Sequence, residues 1–359
     1  MDVTNILLYP FTKSVEYLVE NFAQESKYKI KAAVGFKGGG YKGYRVKRGM
    51  EVISVSEAFE ERMKECDALL PLLDVEKQAE AAPFSVNKTR EQIVIERVKL
   101  AISMGKKVVL IEGAAFSDRI RNLVPKELRE ELNVDVKFPD EYIPMHIFEL
   151  GIPVVYVFSA IESSMRGKFA INIQKALSER GYKVSVVSED NKDILVGVDI
   201  IGTHYKKEKF SLTEKIIYVN NYLKKMELEQ QPDVIVVNIP GGSTPYSTKA
   251  PLDFGETLFR YLRAVPPDYA ILCLPQNFQS GEVDTREWKK YYQAEFGVDV
   301  NDIFVESDIL NTKETELSMN PKYTYLDDVE CIREETEQIN NLADKIINEL
   351  ITYGEIMVC

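Results

Sequence analysis

Short apolar runs rich in β-branched residues alternate along this chain with longer stretches whose apolar residues recur at helical spacing. Ile6-Leu7-Leu8-Tyr9 predicts a first strand, and Val15, Leu18, Val19 and Phe22 then mark one face of a helix that begins after Ser14. Lys29–Val34 predicts a second strand, residues 57–65 a short helix, and Ala68–Leu73 a third strand. Residues 88–104 form an amphipathic helix with Ile93, Ile95, Val98 and Ile102 apolar, closed by Gly105, and Lys107–Ile111 is the next strand. Residues 117–150, charged and carrying Pro125, Pro139 and Pro144, predict a helix and a connection.

The rhythm then restarts. Pro153–Phe158, Lys183–Val187, Asp233–Asn238 and Tyr269–Leu274 read as strands. Between them lie helical patterns at 167–180, 211–230 and 255–264. Helical pattern returns at 286–296 and at 329–352, where Ile332, Ile339, Leu342, Ile346 and Leu350 share a stripe. This alternation predicts an α/β protein of two Rossmann-like or P-loop-like three-layer domains with mostly parallel sheets, 1–150 and 151–359. No internal repeat and no low-complexity segment interrupts it.

Composition narrows the chemistry. The 359 residues hold two histidines, His146 and His204, and four dispersed cysteines, Cys66, Cys273, Cys331 and Cys359. That count argues against a His-rich metal site, a cysteine zinc site and a disulfide framework. No apolar run approaches the ~20 residues of a membrane helix, and the N-terminus lacks the basic start of a signal peptide. The expected location is a reducing cytoplasm.

The formal net charge of −12 argues against a generic nucleic-acid binder. Its distribution matters more. Residues 1–150 carry 23 basic and 24 acidic side chains, 151–280 carry 15 and 14, and 281–359 carry 7 and 19. The whole excess therefore lies in an acidic, helical C-terminal tail. An opposite island, Lys27 to Arg48, holds eight Lys/Arg and no Asp or Glu. The tail is expected to dock near that island or to meet a basic partner.

Three stretches could carry chemistry. At 154–177 a strand, a turn and a helix surround Gly167-Lys168, the second half of a G-x-x-x-x-G-K-[ST] phosphate loop. Glu162 takes the place of the first glycine and Phe169 that of the metal-binding hydroxyl, so the bland alternative is a βα turn that contains Gly-Lys. The second stretch ends an apolar strand in Asn238-Ile239-Pro240-Gly241-Gly242-Ser243-Thr244, which has the outline of a D-x-x-G turn without its carboxylate. Gly241, Gly242, Ser243 and Thr244 still offer backbone donors and hydroxyls at a strand's carboxyl end, against the alternative of a tight turn needing positive φ. The third is the glycine-rich segment 35–49. Its G-x-G-x-x-G at 38–43 runs into extended rather than helical sequence, so it reads as a mobile basic loop. Lys37, Lys42, Arg45, Lys47 and Arg48 are its candidate partner-binding residues, the alternative being a solvated hairpin.

Taken in order, Pro153–Phe158, Gly167-Lys168-Phe169, Gln174, Gly181-Tyr182-Lys183-Val184, Glu214-Lys215-Ile216 with Asn220, Pro232–Ile235, Ile239–Gly242 and Phe254-Gly255 resemble the clostridial peptide maturation system protein family. The resemblance covers roughly residues 150–280. It implies an accessory role in maturing a ribosomally synthesised peptide, with a precursor peptide, a radical S-adenosylmethionine maturase and an acyl-carrier-related protein as partners. It carries over no catalytic residues.

Three readings follow. The first is a non-hydrolysing accessory protein of peptide maturation that holds a precursor peptide, a carrier protein or a phosphate-bearing ligand. The second is a nucleotide-dependent enzyme, an ATP or GTP hydrolase or ligase-like activator with Mg²⁺, in which Lys168 holds phosphate and Ser243 or Thr244 replaces the missing metal ligand. The third is a two-domain scaffold without a small-molecule site.

Overall fold

The computed structural model describes residues 3–22, 27–73, 88–132, 145–161, 165–201, 210–244, 254–274, 285–305, 309–310, 323–324 and 336–356. Glu162, His204, Cys331 and Cys359 lie outside them. Two compact units divide the chain, one of 1–135 with 190–197 and 310–324, the other of 136–189 with 198–309 and 325–359. A single cut at residue 150 therefore does not describe the division. The segment at 190–197 joins the first unit because the Tyr17 hydroxyl donates to the buried Asp193 carboxylate and Asn191 Nδ2 donates to Glu112 O at 2.6 Å.

In the first unit, β1 (Thr4–Phe11), β2 (Tyr28–Gly35), β5 (Ala68–Pro71), β6 (Lys107–Ile111) and β7 (Arg129–Leu132) form one sheet in the order β2-β1-β5-β6-β7. All four pairings are parallel. Ile6 to Phe11 is buried without a break because β1 is covered on both faces. Helices α1 (Glu16–Glu20), α2 (Phe59–Lys64), α3 (Arg90–Ser103) and α4 (Ala115–Ile120) complete the layers. A capping box starts α3, with Thr89 and Gln92 exchanging bonds. Its buried line is Val94, Val98 and Ala101, while Ile93, Ile95 and Ile102 pack from its flanks.

Two features differ from the sequence expectation. The region after 117 supplies a strand, β7, whose Arg129, Glu130 and Glu131 hide any apolar alternation; an edge strand tolerates such charge. Within the segment 35–49, expected to be a mobile loop with a hairpin as the alternative, the extended end forms β3 (Arg45–Arg48) and pairs antiparallel with β4 (Glu51–Ser54). Burial of Val46 and Ile53 on one of its faces fixes the register.

In the second unit, β8 (Val154–Ser159), β9 (Val184–Ser188), β10 (Asp199–Ile200), β11 (Val234–Gly242), β12 (Tyr269–Leu274) and β13 (Asp302–Val305) form a parallel sheet in the order β10-β9-β11-β8-β12-β13. On one face Tyr156, Phe158, Ile235 and Val237 pack against Val219 and Leu223 of α6 (Leu212–Gln230) and Leu258 and Tyr261 of α7 (Glu256–Ala264). Helix α5 (Met165–Ser178) packs against β8, β9 and β11 and against α9 (Thr336–Ile356), in which Ile339, Leu342 and Ile346 are buried.

Where it is described, the expected acidic tail is thus part of the fold. It contributes α8 (Thr285–Phe296), the edge strand β13 and α9. Asp344 pairs with Arg180 at 2.5 Å and Glu349 accepts from Asn301 Nδ2 at 2.9 Å, both inside the same unit. The protein is α/β, with two parallel sheets flanked by helices in P-loop-like and Rossmann-like three-layer arrangements.

Candidate functional site

From β8 the chain passes to β9 on one side and later to β12 on the other, so the winding reverses between β8 and β11. Open α/β sheets bind ligands at the carboxyl ends of strands flanking such a reversal. Here those ends are Ser159 of β8, with Ala160 after it, and Asn238 to Gly242 of β11, with the start of α5 beside them.

Helix α5 begins at Met165, so Arg166, Gly167 and Lys168 all lie in its first turn. The first four N–H groups of a helix have no intrahelical acceptor and carry the positive end of its dipole. Gly167 and Lys168 are both buried there. Phe169, at the position of the metal-binding hydroxyl, is a core residue: its ring stacks on Phe304 of β13 with centroids 4.1 Å apart. Packing explains that departure from the phosphate-loop pattern.

Arg166, which the sequence reading passed over, organises the edge. It is buried; its Nε donates to Asn238 Oδ1 at 2.6 Å and its Nη1 to Ser159 Oγ at 3.1 Å. Asn238 Nδ2 in turn donates to Ser188 Oγ at 3.2 Å. The amide at the D-x-x-G position thus orients a guanidinium. Arg166 stood next to Gly167-Lys168 in the sequence, but no periodicity marks a buried arginine.

The segment after Asn238 is not a tight turn. A register irregularity follows Asn238, Gly241 adopts φ 90°, and Gly242 resumes pairing with Ser159. Ser243 N and Oγ both donate to Ser159 O, at 3.1 and 2.8 Å, and Thr244 N and Oγ1 both donate to Ala160 O, at 2.9 and 2.8 Å. Each hydroxyl proton is directed at the backbone that leads into α5, while Ser243 Oγ is also bonded to the Tyr292 hydroxyl. Ser243 and Thr244 clamp this strand exit in place.

On the α7 side of the same edge lies a second buried polar group. Glu189 directly follows β9, and burial together with the Glu189 carboxylate pushes the Tyr261 phenol well above its ordinary value. Arg260 Nη2 donates to Thr257 Oγ1 at 2.6 Å. Among the described residues, no group of three His, Cys, Asp or Glu is placed to hold a metal ion. No described helix is long and apolar enough to cross a membrane.

The basic candidates of the first unit occupy the hairpin and its approach. Lys37, Lys42, Arg45 and Lys47 are exposed. Strand alternation puts Arg45 and Lys47 on the outward face, opposite Ser54 and Val52. Arg48 is half-buried: its guanidinium donates to Ile30 O at 3.2 Å and pairs with Glu51, which Lys29 also reaches at 2.6 Å. Those two cations and their bonds hold the Glu51 carboxyl down at about 2. Arg48 therefore anchors the hairpin, whereas the other four cations face solvent.

No protein-family model matches the sequence, and no curated protein does. Among solved structures, the chain is similar to a DUF1611 family protein from Anabaena variabilis, with a TM-score of 0.56, 10% identity, and 97% of this chain and 99% of that one covered. At that identity the likeness shows the fold. Cobyrinic acid a,c-diamide synthase from Mycobacterium smegmatis matches at a TM-score of 0.31 and 11% identity over 55% of this chain and 94% of that one. The signal recognition particle 54 kDa protein of Aeropyrum pernix, in complex with GDP, matches at 0.30 and 12% over 74% and 67%. Scores this low carry no argument about the site.

Proposed function

We propose that the second unit binds a nucleotide or another phosphate-bearing ligand on the first turn of α5 and serves a nucleotide-dependent activation or transfer reaction. The observation that supports this reading is the joint placement of Arg166, Gly167 and Lys168 in that turn, at the reversal point of the sheet. Helix N–H groups, a glycine that lets the backbone approach and two cations suit a phosphate. Asn238 is engaged by Arg166 and Ser188. The Ser243 and Thr244 hydroxyls direct their protons at the β8 exit, which leaves oxygen lone pairs that would hold a Mg²⁺, and such an ion would neutralise phosphate charge. Calorimetric titration with ATP and GTP, with and without Mg²⁺, tests the reading. Binding that weakens in Lys168→Met supports it, and absence of binding at millimolar nucleotide overturns it.

The exposed hairpin cations suit an acidic partner, and on the sequence resemblance we propose a second role, an accessory function in peptide maturation. In this reading Lys37, Lys42, Arg45 and Lys47 contact an acidic precursor peptide or carrier protein. Charge reversal at Lys42, Arg45 and Lys47, with Arg48 left intact, then weakens binding of the precursor peptide. Unchanged affinity removes the hairpin from the account.

A further inference from the structure

The hairpin of the first unit is tied to β2 at both ends. Ser56, just past β4, bridges Val34: Gly35 N donates to Ser56 O at 2.8 Å, and Ser56 N donates to Ala33 O at 3.0 Å. At the other end Arg48 reaches Ile30 O, and Glu51 pairs with both Arg48 and Lys29. Val46 and Ile53 are buried on the inner face. Between Arg48 and Glu51 the chain reverses in a two-residue turn, whose first position, Gly49, has φ 58°. A surface pinned in this way has little conformational freedom left to lose on docking.

Its outward face mixes charge with apolar groups. Lys47 stands directly opposite Val52, and Arg45 opposite Ser54. Val52 is 55% exposed, and Met50, the second residue of the turn, is fully exposed. The neighbouring cations Lys29 and Arg48 have a carboxylate partner. Among the described residues, Lys42, Arg45 and Lys47 have none. Charged side chains commonly keep an edge strand from pairing with other chains, which accounts for Arg45 and Lys47. It does not account for the valine and the methionine beside them. Single exposed apolar residues are ordinary, but these two share one pinned hairpin with cations that nothing neutralises.

We propose that this outward face docks an acidic segment of a partner protein that also carries apolar side chains. Met50 and Val52 meet the apolar groups, and Lys42, Arg45 and Lys47 meet the carboxylates. The inference rests on the second role above and adds what the partner must present besides charge. Charge complementarity selects an anionic partner. Met50 and Val52 together are far too little to hold a membrane, since even a myristoyl chain binds one only marginally. The chain's net charge of −12 works against a nucleic acid, whose phosphates extend beyond the hairpin. Methionine is flexible and polarisable, so Met50 adapts to partner side chains of different shape.

The test is fluorescence anisotropy of the full chain with two labelled peptides, Glu-Glu-Leu-Glu-Glu-Glu-Leu-Glu-Glu and its counterpart with serine for leucine. Wild type is compared with the double variant Met50→Ser, Val52→Thr and with charge reversal at Lys42, Arg45 and Lys47. The substituted side chains are all exposed, and a melting curve checks that each variant folds. Wild type should hold the leucine peptide about tenfold more tightly than the serine peptide, the low end of what burying one aliphatic side chain supplies. The double variant should lose that preference and keep its affinity for the serine peptide, while charge reversal should weaken both. Equal affinity of wild type for the two peptides, or a preference unchanged in the double variant, overturns the apolar contact and leaves the charged hairpin standing. Failure of wild type to hold either peptide, or binding untouched by charge reversal, overturns both. Binding to phosphatidylserine vesicles that the double variant abolishes assigns the face to a lipid surface and overturns the proposal.

Discussion

Arg166 Nε and Asn238 Oδ1 meet at 2.6 Å, joining the first turn of α5 to the carboxyl end of β11. A guanidinium rather than a metal ion is what Asn238 orients. The Asn238→Asp variant turns this charge-assisted bond into an ion pair and neutralises part of the cationic turn. The expected outcome is an unchanged or raised melting temperature with tripolyphosphate affinity lowered about tenfold, the equivalent of ~1.4 kcal/mol. Paired melting and titration measure both. Undiminished affinity would remove Arg166 from the anion site.

Gly255 and Gly49 both have positive φ but different surroundings. At Gly49 an added Cβ meets nothing within 4 Å, so Gly49→Ala costs only the backbone conformation, about 1–2 kcal/mol. At Gly255 the same atom also strikes Phe296, adding about 1–3 kcal/mol of overpacking. Denaturant melts should place Gly255→Ala clearly below Gly49→Ala; equal stability contradicts the close approach.

Removing the Tyr17 hydroxyl takes a donor from the buried Asp193 carboxylate. Tyr17→Phe should destabilise the first unit by about 1–3 kcal/mol. Stability within error of wild type in a chemical melt would show that 190–197 is not held there.

The Glu51 carboxyl is held down at about 2 by its bonds to Lys29 and Arg48. Its folded value lies below the unfolded one, so the stabilisation is complete above about 4.5 and is lost as the pH falls through about 2. The melting-temperature difference between wild type and Glu51→Gln should therefore be constant above pH 4.5 and shrink below it. A carboxyl titration midpoint near 4.5 in the folded protein would contradict the anchoring of the hairpin.

How much of this was legible depended on burial. Strands covered on both faces, such as β1 and β8, announce themselves as apolar runs, and α3 and α6 by their periodicity and caps. The edge strands β7 and β13 do not: a strand with one open side carries Arg129, Glu130 and Asp302 at no cost to a core. Gly167-Lys168 was readable as half of a phosphate-loop pattern, and 238–241 as the outline of a D-x-x-G turn. Arg166 was not, because its role depends on Asn238, 72 residues away, and on Ser159. The same holds for Asp193 and Tyr17, 176 residues apart.

The most direct measurement is the affinity of wild type and Lys168→Met for tripolyphosphate in the absence of Mg²⁺. A saturable exotherm in wild type that weakens at least tenfold in the variant, with both proteins melting alike, is the predicted result. No binding by wild type at millimolar tripolyphosphate, or equal binding by the two, contradicts a phosphate site on the first turn of α5.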